Sequence, residues 1–211
     1  MKQTLLIWCH YYTGGKFPGL RKKIENLEVN SATDKELCEA LREGGESREQ
    51  AFAELYRRYA SRIYQYARRI LNRDAEAEDI LQETFLKFLD ILKKDAVIEN
   101  VPAYLLRIAR NLSLRVGSKK QMTVPIEDYH AIFEESPMEA DETSKILTMS
   151  LDLLPKEQRE ALVLQVYGGL SYIEIGEVMG VPMTTVRNWV VRAKDKMRKI
   201  VAPYFQGEES H

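Results

Sequence analysis

The sequence predicts an all-α protein made of two small helical domains joined by a flexible acidic linker. Three observations carry that expectation. Apolar residues recur at steps of three and four along most of the chain, and no stretch alternates as a strand does. Gly44, Gly45, Pro102, Gly117, Pro155, Gly168, Gly169, Gly180 and Pro182 stand at the boundaries of the periodic stretches. Charge is segregated. Tyr104–Met122 holds Arg107, Arg110, Arg115, Lys119 and Lys120 with no acid. Thr123–Ile146 holds Glu127, Asp128, Glu134, Glu135, Glu139, Asp141 and Glu142 against the single base Lys145. A chain of 211 residues suffices for one large or two small domains. With 45% hydrophobic and 30% charged residues it is expected to fold and stay soluble. The net charge of −1 does not exclude nucleic acid, because the distribution of charge matters more than its sum.

Residues 1–30 show no clean period and contain Gly14, Gly15, Pro18 and Gly19, so they read as a disordered N-terminal extension. Asp34 is a good N-cap for a helix over Lys35–Arg42, stopped by Gly44 and Gly45. Ser47, with Gln50 three residues on, opens a long helix to about Leu71 whose stripe Phe52, Leu55, Tyr59, Ile63, Tyr66 and Ile70 is expected to face the core throughout. Asn72-Arg73-Asp74 breaks it. Asp74 is then expected to cap a helix to about Leu92 that buries Leu81, Phe85, Phe88, Leu89 and Leu92. The other side of that helix presents Glu78, Asp79, Gln82, Glu83 and the apolar Leu86, a pattern equally that of an ordinary solvated face and of a protein-binding face with a polar rim. Lys93–Val101 reads as a loop. Pro102 starts a helix to Val116 that Gly117 ends, with Leu105, Ile108 and Leu112 inward and Arg107, Arg110, Asn111 and Arg115 directed elsewhere.

The linker, residues 118–142, contains Pro125 and Pro137 and no sustained period. Thr143 is expected to cap a helix through Leu154, and Pro155 to start another to about Tyr167. Gly168 and Gly169 then lead into Leu170–Met197, on which the second domain is built. There Ser171 and Glu174 have the spacing of a capping box, and Ile173, Ile175, Val178 and Met179 supply an apolar side. Gly180 suits a left-handed helix end, and Pro182 the start of the next helix. In that next helix Val186, Val190, Ala193, Met197 and Ile200 form one inward stripe, while Thr184, Arg187, Asn188, Val191 and Arg192 face away. Helix, glycine turn and polar outward helix is the helix-turn-helix pattern, whose second helix reads the major groove. A solvated helical hairpin would more often mix its charges, whereas Met183–Ile200 carries Arg187, Arg192, Lys194, Lys196, Arg198 and Lys199 against Asp195 alone.

Three stretches of this sequence resemble the extracytoplasmic-function (ECF) sigma factors, subunits of bacterial RNA polymerase. Phe52–Tyr64 followed by Ala77–Phe88 looks like the family's first conserved block, Ala103–Leu114 like the helix after it, and Leu153–Leu164 with the helix-turn-helix like its second domain. The resemblance implies sigma region 2 at residues 31–117, the linker at 118–142, sigma region 4 at 143–206 and a tail at 207–211. It further implies that Asp79, Gln82, Glu83 and Leu86 dock on core RNA polymerase. Arg107, Arg110, Asn111, Lys119 and Lys120 would hold the melted minus-10 strand of promoter DNA. Thr184, Thr185, Arg187, Asn188, Val191 and Arg192 would engage the minus-35 duplex, the two threonines near phosphates. An anti-sigma factor is the implied inhibitory partner. Tyr104 stands where the family usually has tryptophan. Arg115 and Gly117 fall where an acid and an apolar residue are more usual, and Trp189 where a base is common. Trp189 projects about 60° from the inward stripe, so half-buried packing against the preceding helix is expected of it.

The alternative is a stand-alone helix-turn-helix regulator, for which the acidic face of the Asp74–Leu92 helix is a poor dimer surface. No enzyme, metal site or cofactor is expected. His10, His130 and His211 lie in the extension, linker and tail, and Cys9-His10 has no further ligands to complete a site. Cys9 and Cys38 form no disulfide framework, which points to a reducing, cytoplasmic setting. Met1–Cys9 is expected to be too short an apolar run to span a membrane.

Overall fold

The computed structural model describes residues 32–43, 46–94, 96–121 and 142–205, with backbone alone for residues 46, 118–121, 142–145 and 205. The expected extension, most of the linker, the tail, Cys9 and the three histidines lie outside the described residues. Among those described, the helices run α1 (Asp34–Glu43), α2 (Glu46–Leu71), α3 (Asp74–Leu92), α4 (Val101–Gln121), α5 (Glu142–Asp152), α6 (Lys156–Val166), α7 (Tyr172–Met179) and α8 (Met183–Phe205), with no strand. The chain divides after Leu55, within α2, into two compact units.

In the first unit α1 is capped by Thr33, not by Asp34 as expected. The Thr33 hydroxyl accepts from the Glu36 N–H at 3.3 Å, and the Glu36 carboxylate accepts from the Thr33 N–H at 2.6 Å. Asp34 instead sits in the first turn, where its charge favours the positive end of the helix dipole. Leu37, Cys38 and Leu41, at one-turn spacing, are buried, as are Ala51 and Leu55 of α2. Burial, reinforced by nearby Asp34, pushes the Cys38 thiol up to about 11, so this cysteine is an apolar packing group and not a nucleophile.

In the second unit the α2 stripe is buried at Tyr59, Ile63 and Tyr66. Phe52 and Ile70, expected to face the core as well, are only half-buried. A helix of 26 residues is about 39 Å long, more than a small core can cover at both ends. Asn72 ends α2 in the left-handed region, φ 57°, which asparagine tolerates better than most side chains. Asp74 does not cap α3 as expected. Arg73 occupies the cap position without a side-chain bond to the backbone of the first turn. The Asp74 carboxylate turns back to α2, accepting from Arg68 Nε at 2.5 Å and the Tyr64 hydroxyl at 3.3 Å. The stronger attraction of a guanidinium one turn away wins over the neutral backbone donors.

Helices α3 and α4 pack together over the five expected α3 residues, joined by Ala77, Ile80 and Thr84. Phe85 stacks on Tyr56 with centroids 4.9 Å apart, and burial of each phenylalanine stabilises the fold by about 1.5–3 kcal/mol. The start of α4 lies at Val101, one residue ahead of Pro102, because Asn100 is its cap: Asn100 Oδ1 accepts from the Ala103 N–H at 3.0 Å. Gly117 does not end α4, which continues to Gln121. An exposed glycine costs a helix only about 1 kcal/mol, and without a left-handed turn it does not stop one.

Helix α5 begins at Glu142 rather than after a Thr143 cap and ends at Asp152, short of Leu154; Pro155 precedes α6 at its cap position. In the helix-turn-helix the expectations hold more closely. Ser171 and Glu174 form the reciprocal capping box, and Gly180 ends α7 at φ 73°. Ile175 and Val178 are buried, but Ile173, assigned to the same apolar side, is 61% exposed. It lies two residues from Ile175, about 200° around the helix, and so on the opposite face. Val186, Val190 and Ala193 of α8 are buried against α7 and α6, with Met197 and Ile200 half-buried further along.

A Cβ on Gly176 would lie 2.7 Å from the Val181 carbonyl oxygen, too close for the turn to keep its path, whereas one on Gly117 would meet nothing. Gly176→Ala should therefore destabilise the protein by about 1–3 kcal/mol in denaturant unfolding. Gly117→Ala should be neutral or stabilise by up to about 1 kcal/mol. Equal effects of the two would overturn this account of the turn.

Candidate nucleic-acid interface

The outward face of α8 is laid out as its periodicity implies. Thr184, Arg187, Asn188, Val191 and Arg192 are exposed, Val191 at 47%, while Thr185 and Trp189 are half-buried. The buried Val186–Val190–Ala193 stripe fixes the rotation of the helix, so its polar groups have no choice of direction. The tight turn at Gly176 and Gly180 sets the angle between α7 and α8. The result is a row of guanidinium, amide and apolar groups on a rigid, solvent-facing helix. That is the chemistry that reads base edges in a major groove.

The face assigned to polymerase lies on α3. Asp79 and Glu83 are exposed, as is Glu78, while Gln82 and Leu86 are half-buried. Glu83 holds Lys87 at 3.3 Å, one turn on, an exposed pair that leaves the face acidic and available.

The residues assigned to the minus-10 strand are not alike in placement. Arg107 and Asn111 are exposed on α4, and the Arg107 guanidinium lies 4.9 Å from the centroid of the Tyr104 ring. Lys119 and Lys120 extend the helix backbone, but their side chains lie outside the described residues. Arg110, expected to face away from the core, instead turns to Glu160 of α6. Its Nε donates at 2.9 Å to one carboxylate oxygen and its Nη2 at 3.5 Å to the other. Glu160 is buried and accepts a further bond from the buried Tyr66 hydroxyl at 2.9 Å. Burial, and the carboxylate beside it, hold the Tyr66 hydroxyl well above its usual pKa, so it stays a neutral donor.

Around this centre Arg159 donates to Asp152 at 2.8 Å and to the Ile70 carbonyl at 3.1 Å, which satisfies a free acceptor at the end of α2. Arg69 bonds Thr148 and lies over the Tyr167 ring at 5.2 Å. Asn100, the α4 cap, donates to the Glu174 carboxylate at 2.5 Å. The sequence reading missed Glu160, Tyr66 and Asn100. No local signal marked Glu160, which follows Lys156 and Arg159 in a charged first turn and reads as a solvated acid.

Two family models match the chain, Sigma-70 region 2 over residues 55–121 and Sigma-70, region 4 over residues 144–197. The ECF RNA polymerase sigma factor SigE of Mycolicibacterium smegmatis is 35% identical over 162 residues, covering 72% of this chain and 62% of that protein. SigW of Bacillus subtilis, also an ECF sigma factor, is 30% identical over 71% of this chain and 88% of its own length. The RNA polymerase sigma-H factor of Pseudomonas aeruginosa is 31% identical over 81% and 94%. The chain belongs to the ECF sigma factor family.

The fold of this sigma factor is shared with two solved structures. The sigma factor RpoE of Bartonella quintana, in complex with the anti-sigma factor NepR, aligns with a TM-score of 0.59 at 22% identity over 72% of this chain and 98% of that one. CnrH in complex with the cytosolic domain of CnrY aligns with a TM-score of 0.59 at 20% identity over 81% and 97%. The region 2 match takes in α3 and α4, the region 4 match the helix-turn-helix, and Glu160 binds across from the second to the first. Among the described residues, no helix of this sigma factor is long and apolar enough to cross a membrane, and no cluster of His, Cys, Asp and Glu could hold a metal ion.

The Glu174 carboxylate is held below its ordinary range by its bonds to Ser171, with Asn100 a smaller contribution. Because the folded form binds the proton less tightly than the unfolded chain, this stabilisation is present at neutral pH and lost as pH falls through the lowered value. The stability gap between wild type and Glu174→Gln in urea unfolding should accordingly shrink from pH 7 to pH 3. A gap independent of pH would remove the charge from the cap.

Proposed function

We propose that the protein is a promoter-recognition subunit that works in the cytoplasm on core RNA polymerase and has no catalytic activity of its own. The observation that carries this reading is the order of the two sigma matches, region 2 ahead of region 4, with an exposed basic face on the recognition helix of the second. Arg187, Asn188, Val191 and Arg192 read the minus-35 duplex, and Thr184 and Thr185 approach its phosphates. A bidentate arginine–guanine pair contributes about 1–3 kcal/mol of base discrimination. Arg107, Arg110, Asn111, Lys119 and Lys120 hold the melted minus-10 strand, with the 93–100 loop receiving an unstacked base. Unstacking costs a few kcal/mol, so a pocket that recovers that amount favours the open strand. The α3 face of Asp79, Gln82, Glu83 and Leu86 docks on core polymerase, where arginines of the partner would form charge-assisted bonds.

An anti-sigma factor is the inhibitory partner this reading calls for, supported by the solved relative RpoE, which is described in complex with the anti-sigma factor NepR. Residues 31–117 and 143–206 serve as the polymerase and minus-10 module and the minus-35 module.

Run-off transcription by purified core polymerase, with and without the protein, on a pool of genomic promoters tests the reading. New transcripts should appear only with the protein. Sequence-specific DNA binding without new transcripts would instead mark a stand-alone regulator.

The division of labour predicts separable losses. Arg187→Ala should weaken binding to the minus-35 duplex by about ten- to a hundredfold while leaving polymerase binding unchanged. Gln82→Ala with Glu83→Ala should do the reverse, and equal losses in both assays would sink the assignment.

A further inference from the structure

The recognition helix runs on well past its reading residues. Thr184 to Arg192 covers about 12 Å of α8, roughly the width of a major groove. The helix has 23 residues, a length of about 34 Å. We propose that Lys194, Arg198 and Lys199, in the turns beyond, form a phosphate-binding end that grips the DNA backbone beside the minus-35 bases, with Asp195 holding the guanidinium in place. This second contact rests on the promoter reading proposed above.

The rotation of the helix puts these cations on its reading side. Val186, Val190 and Ala193 are buried, and the same stripe continues through the half-buried Met197 and Ile200. A step of seven residues returns a helical position to within about 20° of where it began. Lys194 therefore repeats the direction of Arg187, Arg198 that of Val191, and Lys199 that of Arg192, each about 10 Å further along. All three side chains are exposed. Lys196 lies off this face. Its ammonium donates to the Leu153 carbonyl at 2.7 Å, which ties this part of α8 to the end of α5.

The chemistry changes along the face. Thr184, Asn188 and Val191 offer a hydroxyl, an amide and an apolar group, the mixture that distinguishes base edges. From Lys194 to Lys199 the outward side chains carry charge alone, which suits phosphates and holds no sequence information. A recognition helix enters the groove by its N-terminal residues, so a straight one leaves across the phosphate wall about 12 Å on, where these cations stand. Asp195, the one acid of α8, sits among them. Its carboxylate accepts from Arg198 Nη1 at 2.9 Å and so orients the guanidinium instead of meeting a base. The Arg198 side chain is 76% exposed, and an ion pair in that setting is weak. Its planar fork can therefore leave the carboxylate for a phosphate oxygen.

Fluorescence anisotropy with the full chain assembled on core polymerase tests the patch. Three duplexes serve as probes: the minus-35 element found by run-off transcription, the same duplex with uncharged methylphosphonate linkages beside the element, and a scrambled sequence. A triple variant, Lys194→Ala with Arg198→Ala and Lys199→Ala, should bind the promoter and scrambled duplexes about tenfold more weakly at low salt. Its slope of log affinity against log salt should be smaller by about two to three. Arg187→Ala should lose affinity for the promoter duplex alone. The methylphosphonate duplex should weaken wild type about as much as the triple variant is weakened, and should weaken that variant no further. Asp195→Asn, which removes a charge that phosphates repel, should bind the promoter and scrambled duplexes a few-fold more tightly. An unchanged slope and affinity in the triple variant, with Arg187→Ala still weak, would overturn the patch and leave a solvated face. Lost polymerase binding with an unchanged slope would replace it with a protein-docking surface. If wild type does not prefer the promoter duplex to the scrambled one, the promoter reading beneath it fails instead. Circular dichroism monitors folding, and if the triple variant proves unfolded, Asp195→Asn and the methylphosphonate duplex decide.

Discussion

A single buried carboxylate ties the two halves of this sigma factor together. Glu160 is buried at the head of the apolar run Ala161–Leu164 of α6, where an unpaired charge would cost several kcal/mol. Two donors from the region 2 segment, the Tyr66 hydroxyl and the Arg110 fork, make its burial tolerable. The dependence runs both ways. Tyr66 is itself buried and must find an acceptor, and the neutral state that burial imposes on it is the state that can donate. Such a cluster adds little net stability compared with apolar side chains of the same volume, but it tolerates very few arrangements of the elements that bring it together. It therefore specifies how α2, α4 and α6 meet.

The arginines of this protein stand in two kinds of surroundings. The protein is nearly neutral overall, yet its arginines fall into two groups with different surroundings. Arg187 and Arg192 stand in solvent on a helix whose rotation is set by Val186, Val190 and Ala193. Arg69, Arg110 and Arg159 are half-buried among acids, carbonyls and an aromatic ring. A guanidinium keeps its charge in either setting and presents the same planar fork to a phosphate or to a carboxylate. That equivalence is why Arg110, proposed above for the nucleic-acid surface, can also close on a carboxylate inside the protein.

Local chemistry was legible wherever the competing interactions were local too. The Ser171–Glu174 box, the left-handed Gly180 and the α8 stripe each depend on residues within about one turn, and each formed as its spacing implied. Errors arose where a residue had a second option. Asp74 left its cap for Arg68, Thr33 took the cap expected of Asp34, and Gly117 stayed helical because nothing forced it into a left-handed turn. Ile173 was assigned to the wrong face of a helix too short for its period to be decisive.

The sequence by itself determined the helical class, the order of the helices, the helix-turn-helix and the outward face of its second helix, because periodicity and capping act over three or four residues. It also carried the family resemblance that the matches to sigma regions 2 and 4 bear out. Only the tertiary structure decided that Arg110 faces Glu160 and that Asn100 reaches Glu174, pairs separated by 50 and 74 residues. No spacing rule connects positions so far apart. Their pairing follows from the packing of α4 on α7 and from the need of a buried carboxylate for donors, and both exist only once the chain has folded.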